Sequence, residues 1–140
     1  MDVESVAKFY QKLGKDNLDS LQQIYHPDVL FEDPAHTLRG IATLEHYFSS
    51  MYSNVNSCNF EILSADQVEQ RGYIRWLMLL SHPKLSAGKE IQVEGLTFIE
   101  FADGKVIHHK DYFDLGAMLY ERLPVLGKII TTIKQKLGQS

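Results

Sequence analysis

The stretch VLFEDPAHTLRG, residues 29–40, runs as an apolar strand into an aspartate and is then stopped by a proline. Side chains along a strand alternate, so Asp33 shares the side of Val29 and Phe31, while Glu32 points the other way with Leu30. An ionised carboxylate on an apolar side is costly unless it has partners or a role there. Two readings of Asp33 follow. It is a group facing an apolar cavity, or it accepts backbone N–H bonds and organises the loop that continues as AHTLRG.

Outward from this stretch the chain divides into helices before and strands after. Val6, Phe9, Tyr10 and Leu13 recur at helical spacing, and Gly14 is a natural stop. A second helix is expected from Asp16 or Asn17, with Leu18, Leu21, Ile24 and Tyr25 on its buried side and Pro27 ending it. Gly40 opens a third helix through Ile41, Leu44, Tyr47, Phe48 and Met51, followed by the loop SNVNSCN. The pattern then switches. NFEILSADQVEQ, GYIRWLMLLS, EIQVEGLTFIEF and KVIHHKDYFD are four β-rich segments, parted by the turn signals QRG, HPKLSAGK and ADG. Consecutive strands with short turns imply an antiparallel meander, and helices bunched before it imply an α+β fold. Three helices on one face of a strongly curved sheet make a cone with an apolar interior.

Composition sets the class. The 140 residues are 44% apolar and 23% charged, enough for one globular domain with a sizeable core. The net charge of -4 gives no electrostatic footprint for nucleic acid. A single cysteine, Cys58, excludes an intramolecular disulfide and points to a reducing, cytoplasmic setting. No leader-like N-terminus and no run approaching the ~18 apolar residues of a membrane span is present.

Strand parity selects candidate side chains. On the last strand Ile107, His109, Asp111 and Phe113 share one side; His108, Lys110, Tyr112 and Asp114 share the other. Trp76, Met78 and Leu80 alternate along one face of an earlier strand, and Tyr47, Met51 and Tyr52 stand on the third helix. Together they suit the wall of an apolar cavity for a small hydrophobic ligand. Asp111 is alternatively a buried partner for Arg75 or Arg39, His109 a hydrogen-bonded core histidine, and His36 either an orienting partner of Asp33 or a solvent-facing loop residue. His109 and Asp111 with Asp33 or His36 offer at most a loose ligand set. Nothing has the helix i, i+4 or CxxC spacing of recognisable metal sites, so no metal and no cofactor is expected.

The block LDSLQQIYHPDVLFEDP (18–34), Gly40 at the next helix, Trp76, FADGKV (101–106) and HHKDYFD (108–114) resemble the nuclear transport factor 2-like superfamily, and its SnoaL-like branch most closely. The resemblance implies the cone fold over nearly the whole chain, read here as one domain over 1–140: a core over 1–116 and a C-terminal helical extension over 117–140. It also implies metal-free acid–base chemistry, of isomerase, cyclase or hydrolase type, or a ligand carrier or protein-interaction scaffold without catalysis. In the steroid isomerases of the superfamily the aspartate of the E-D-P strand end is the general base, and Glu32-Asp33-Pro34 occupies that place. Their helix-1 tyrosine falls at or next to Phe9, with Tyr10 one residue on, and their protonated aspartate falls near Thr97. Steroid isomerisation itself is therefore not expected. SnoaL-like cyclases resemble the HHKDYFD stretch, which implies acid–base roles for Asp111 and His109 beside Asp33. Trp76, Tyr10, Tyr47, Met51, Met78, Phe113 and His36 are the expected ligand contacts.

Two surfaces complete the reading. Leu119, Leu123, Leu126, Ile130, Ile133 and Leu137 form a seam on a C-terminal helix that Pro124 restarts, with Lys128, Lys134 and Lys136 opposed nearby only by Glu121. It reads as a core seal or lid, a dimer contact or a weak membrane-surface helix, without stable membrane anchoring. The outward strand residues Tyr73, Leu77, Leu79, Leu96 and Phe98 make an apolar row, and the resemblance implies a homodimer through that outer sheet face.

Overall fold

The computed structural model describes residues 1–118 and 126–139. Helix α1 (Val3–Lys12) begins where the Asp2 side chain accepts the Ser5 N–H at 2.9 Å. A short helical turn (Leu18–Ser20) leads into α2 (Leu21–Ile24), then strand β1 (Tyr25–Glu32), strand β2 (Thr37–Arg39) and helix α3 (Ile41–Asn54). Four long strands follow: β3 (Ser57–Val68), β4 (Arg71–Ser81), β5 (Ile91–Ala102) and β6 (Lys105–Phe113). The chain closes with α4 (Leu115–Met118) and α5 (Leu126–Gln139).

One six-stranded sheet carries all six strands in the order β2-β1-β6-β5-β4-β3. Strands β3 to β6 form the expected antiparallel meander. At β1 the sheet turns: β1 pairs antiparallel with β2 and parallel with β6, Phe31 lying opposite His109. Helix α1 packs on β3 and β4, and α3 on β1, so the concave side is closed by helices and filled by Val6, Leu21, Val29, Leu44, Ile74 and Ile99. This is the α+β cone that the strand and helix periodicities predict.

Local departures have physical reasons. The second helix is a single turn longer than a bend, and Tyr25 is already the first residue of β1 rather than the last of α2. Pro27 therefore does not end a helix; it sits exposed within β1. The pairing of β1 with β6 is irregular between Tyr25 and Leu30, so no ladder N–H is required there. Strand β2 was not expected from sequence. The Asp33 and His36 backbones bond to each other across Pro34-Ala35, which folds Thr37–Arg39 back onto β1 as a hairpin.

The C-terminal seam is only partly described: Leu119, Glu121, Leu123 and Pro124 lie outside the described residues, as does the side chain of Leu126. Ile129, Ile133 and Leu137 of α5 are exposed, Ile130 is half-buried, and Lys134 Nζ reaches Asp114 Oδ2 at 3.0 Å. Among the described residues no helix is long and apolar enough to cross a membrane.

Candidate active site

The cone encloses a cavity of about 430 Å³. Buried Phe31, Phe48, Cys58, Trp76, Met78 and Leu80 form its wall, and exposed Ala35, His36 and Lys84 mark its opening. Strand alternation puts Trp76, Met78 and Leu80 inward from β4, and Asp111 and Phe113 inward from β6, as parity predicts. Trp76 lies against Gly95 of β5 opposite it: a Cβ at position 95 would stand 2.2 Å from the indole Cη2. The missing side chain is what lets the indole lie in the wall.

Both carboxylates of the sequence reading line this cavity, and they are held in different ways. Asp33 follows the last residue of β1. Its Oδ1 accepts the N–H groups of Ala35 and His36 at 2.8 and 2.7 Å. The Tyr47 hydroxyl donates to Oδ2 at 3.1 Å, and His36 Nδ1 lies 3.0 and 3.2 Å from the two oxygens. The side chain is only 8% exposed, with its lone pairs committed to the hairpin and to α3. Asp33 thus satisfies both sequence readings at once: it faces the cavity and it organises the loop.

Asp111 is gripped at one oxygen. His109 Nε2 lies 2.7 Å from Oδ1, and the Thr97 hydroxyl donates to the same atom at 2.5 Å. Thr97 is oriented in turn by the Trp76 indole N–H, which donates to Oγ1 at 2.7 Å and leaves the hydroxyl hydrogen for the carboxylate. Oδ2 of Asp111 makes no hydrogen bond among the described residues. The alternative partners lie elsewhere: Arg75 pairs with Glu94 at 3.4 Å, and Arg39 is exposed on β2.

Behind Asp111 the bonding continues inward. His109 is 1% exposed, does not reach the cavity wall, and stacks on Phe31 at 4.4 Å between centroids. Its Nδ1 lies 2.9 Å from the Tyr25 hydroxyl, which is hydrogen-bonded to that of Tyr10, itself on the cavity wall. His109, expected from sequence to act in the cavity, instead lies behind Asp111 and outside the cavity wall. Burial is the largest influence on Tyr10, Tyr25 and Tyr47, raising each hydroxyl above its usual range and keeping it neutral; the neighbouring carboxylates add to this. Burial also pushes the Cys58 thiol up to about 12, leaving it a protonated wall atom.

Trp76, Tyr10, Tyr47, Met51, Met78, Phe113 and His36 all line the cavity. Tyr52 is buried outside the wall, its hydroxyl without a hydrogen-bond partner among the described residues. Tyr112 is half exposed on the far side of β6 and cannot serve the site. Sequence reasoning missed Tyr25, which was placed on a helix, and the part of Thr97, whose signal was its parity opposite Asp111 on the adjoining strand. Among the described residues no three His, Cys, Asp or Glu side chains gather to hold a metal.

The family description "SnoaL-like domain" matches residues 6–109, most of the cone as far as the buried histidine in the middle of β6. The chain belongs to this SnoaL-like family. No curated protein matches it. Several solved structures share the SnoaL-like cone at low identity. A Catenulispora acidiphila protein of ketosteroid isomerase-like fold, in complex with trimethylamine, aligns with TM-score 0.76 and 16% identity over 89% of this chain and 96% of that one. A candidate SnoaL-like polyketide cyclase from Jannaschia sp. CCS1 aligns with TM-score 0.72 and 15% identity, covering 84% and 88%. An epoxide hydrolase from M. tuberculosis gives TM-score 0.68 and 18% identity, covering 81% and 78%. At these identities the likeness shows the fold.

Proposed function

We propose that the protein binds a small hydrophobic molecule in the cone and transforms it by cofactor-free acid–base chemistry, with Asp111 as the base. The observation that carries this is the unengaged Oδ2 of Asp111 in an apolar cavity, on a carboxylate whose other oxygen is fixed by His109 and Thr97. A base needs a free lone pair within hydrogen-bond reach of the proton it takes, and Asp111 has one where Asp33 does not. Asp33 then shapes the cavity and holds Tyr47.

The bonds from Asp111 through His109 and Tyr25 to Tyr10 give the second half of the chemistry. With a neutral imidazole the hydroxyl protons run from Tyr10 toward His109. With an imidazolium paired to Asp111 they run outward, and the Tyr10 hydroxyl turns to the cavity as a donor. In that state it stabilises negative charge developing on a ligand oxygen as Asp111 removes a proton from carbon. Isomerisation, cyclisation or water addition would all begin with such a step.

Deuterium wash-in tests the step without knowledge of the product. The wild-type protein, incubated in heavy water with a panel of hydrophobic ketones and β-dicarbonyl compounds, should add deuterium to at least one member, and Asp111→Asn should abolish it. Ligands retained in native mass spectra without exchange would mark a carrier instead. We further propose that two chains pair through the outer sheet face, where the Tyr73 and Phe98 rings meet at a tilt with centroids 5.6 Å apart and Leu77, Leu79 and Leu96 stand half-buried. Sedimentation as a 16.0 kDa species would overturn that pairing. The single free Cys58 fits a cytoplasmic setting.

A further inference from the structure

We infer that the cavity selects a hydrophobic cation, a protonated amine or quaternary ammonium seated against Asp111 with its apolar remainder along Met51, Met78 and Leu80. This rests on reading the cone as a ligand site; while such a cation is seated it takes up the free lone pair of Asp111, so it blocks the proton transfer proposed above rather than undergoing it. The charge on the wall is the first argument. Two carboxylates, Asp33 and Asp111, line the cavity; the one lysine or arginine among the described lining residues, Lys84, is exposed at the opening. An anionic ligand inside would meet both carboxylates at short range in a poorly solvated space, where like charges repel strongly.

Asp111 is the second argument. Its side chain lines the cavity and is 19% exposed, and its Oδ2 takes no hydrogen bond from the described residues. A neutral, non-donating ligand would displace water from this oxygen and leave it unpaired, at a cost that grows with the quality of the apolar fit. A cation there removes the cost.

The rings beside Asp111 are the third. Tyr10, Phe60 and Trp76 line the main cavity together with Asp111, and Phe113 stands two residues along the same face of β6. Trp76 lies edge-on to Phe60 and to Phe113, at 5.5 and 6.1 Å between centroids. Its indole N–H is spent on Thr97, so what it offers the cavity is ring surface. Aromatic rings beside a carboxylate attract a cation where their faces are open to it, and tryptophan does so most strongly. Ammonium groups with methyl or methylene shells satisfy the rings and the carboxylate together.

Trp76 is the sole tryptophan, so its fluorescence reports occupancy directly. Benzyltrimethylammonium and its uncharged isostere neopentylbenzene differ in charge and hardly in shape. Titration should show the cation binding about tenfold more tightly. Asp111→Asn should erase that preference while neopentylbenzene binding persists; should this variant not fold, the isostere pair on the wild-type protein decides alone. Equal affinities would overturn the cation selection and leave the apolar ligand site standing. Tighter binding of phenylacetate than of either probe would also overturn it, pointing to Lys84 instead. No binding by any of the three would overturn the selection together with the ligand-site reading beneath it.

Discussion

Asp33 and Asp111 line one cavity, yet one is engaged at both oxygens and the other at a single oxygen. Asp33 is held mainly by residues two, three and fourteen positions away, and their bonds engage both of its oxygens. Asp111 is held by Thr97 on the next strand and, through His109, by Tyr25 at the far end of the chain. Support at both oxygens makes a carboxylate architecture. Support at one oxygen fixes the group and leaves the other for a ligand.

The largest test of that contrast is Asp111→Asn, which should cut proton abstraction by about 10²–10⁴. Its thermal midpoint should move little, because the amide oxygen still accepts from Thr97. Wash-in rates and calorimetry on the same preparation check the two halves, and intact exchange in the variant would return the base role to Asp33. Next comes Asp33→Ala, which strands the Ala35 and His36 N–H groups and the Tyr47 hydroxyl. Stability should fall by roughly 1–3 kcal/mol in a denaturant titration, with any loss of rate matched by lost folded protein.

A smaller effect is expected for Tyr25→Phe, which cuts the bonding behind His109 without touching the wall. It should cost about 1 kcal/mol of stability and move the pH profile of the wash-in reaction, whereas a purely structural tyrosine would leave that profile in place. Smallest is Glu32→Gln, a control beside Asp33 on the opposite face. The hydrogen bond from His108, 2.7 Å away, holds the Glu32 carboxyl below its ordinary range, with Lys110 assisting. A depressed folded value contributes stability above the ordinary range and loses it as pH falls through the lowered value. Wild type and Glu32→Gln should therefore differ near neutrality and converge in acid, with no change in ligand affinity.

What the sequence made legible depends on how far along the chain the deciding partner lies. Alternation on β4 and β6 placed Trp76, Met78, Asp111 and Phe113 because a strand's period needs only its own residues. The position of Asp33 beside the proline foretold its loop bonds for the same reason. Tyr25 was misplaced because Leu21 and Ile24 extend a helical spacing up to it, and only pairing with β6, some eighty residues on, makes it a strand. Thr97 looked like a lost oxyanion group. Its use emerges only when register sets it opposite Asp111 and beneath the indole of Trp76.

The parallel pairing of β1 with β6 also constrains the order of events as the chain folds. Helix α1, the β3–β4 hairpin and the Asp33 turn can form from neighbouring segments as they emerge, since closing short loops costs little entropy. The partner of Tyr25 is made eighty-four positions later. Until β6 docks, the aromatic wall has an open seam and His109 and Asp111 are in water. A ligand that fills the finished cavity therefore favours the state in which β6 has docked, and stabilises this long-range closure by mass action.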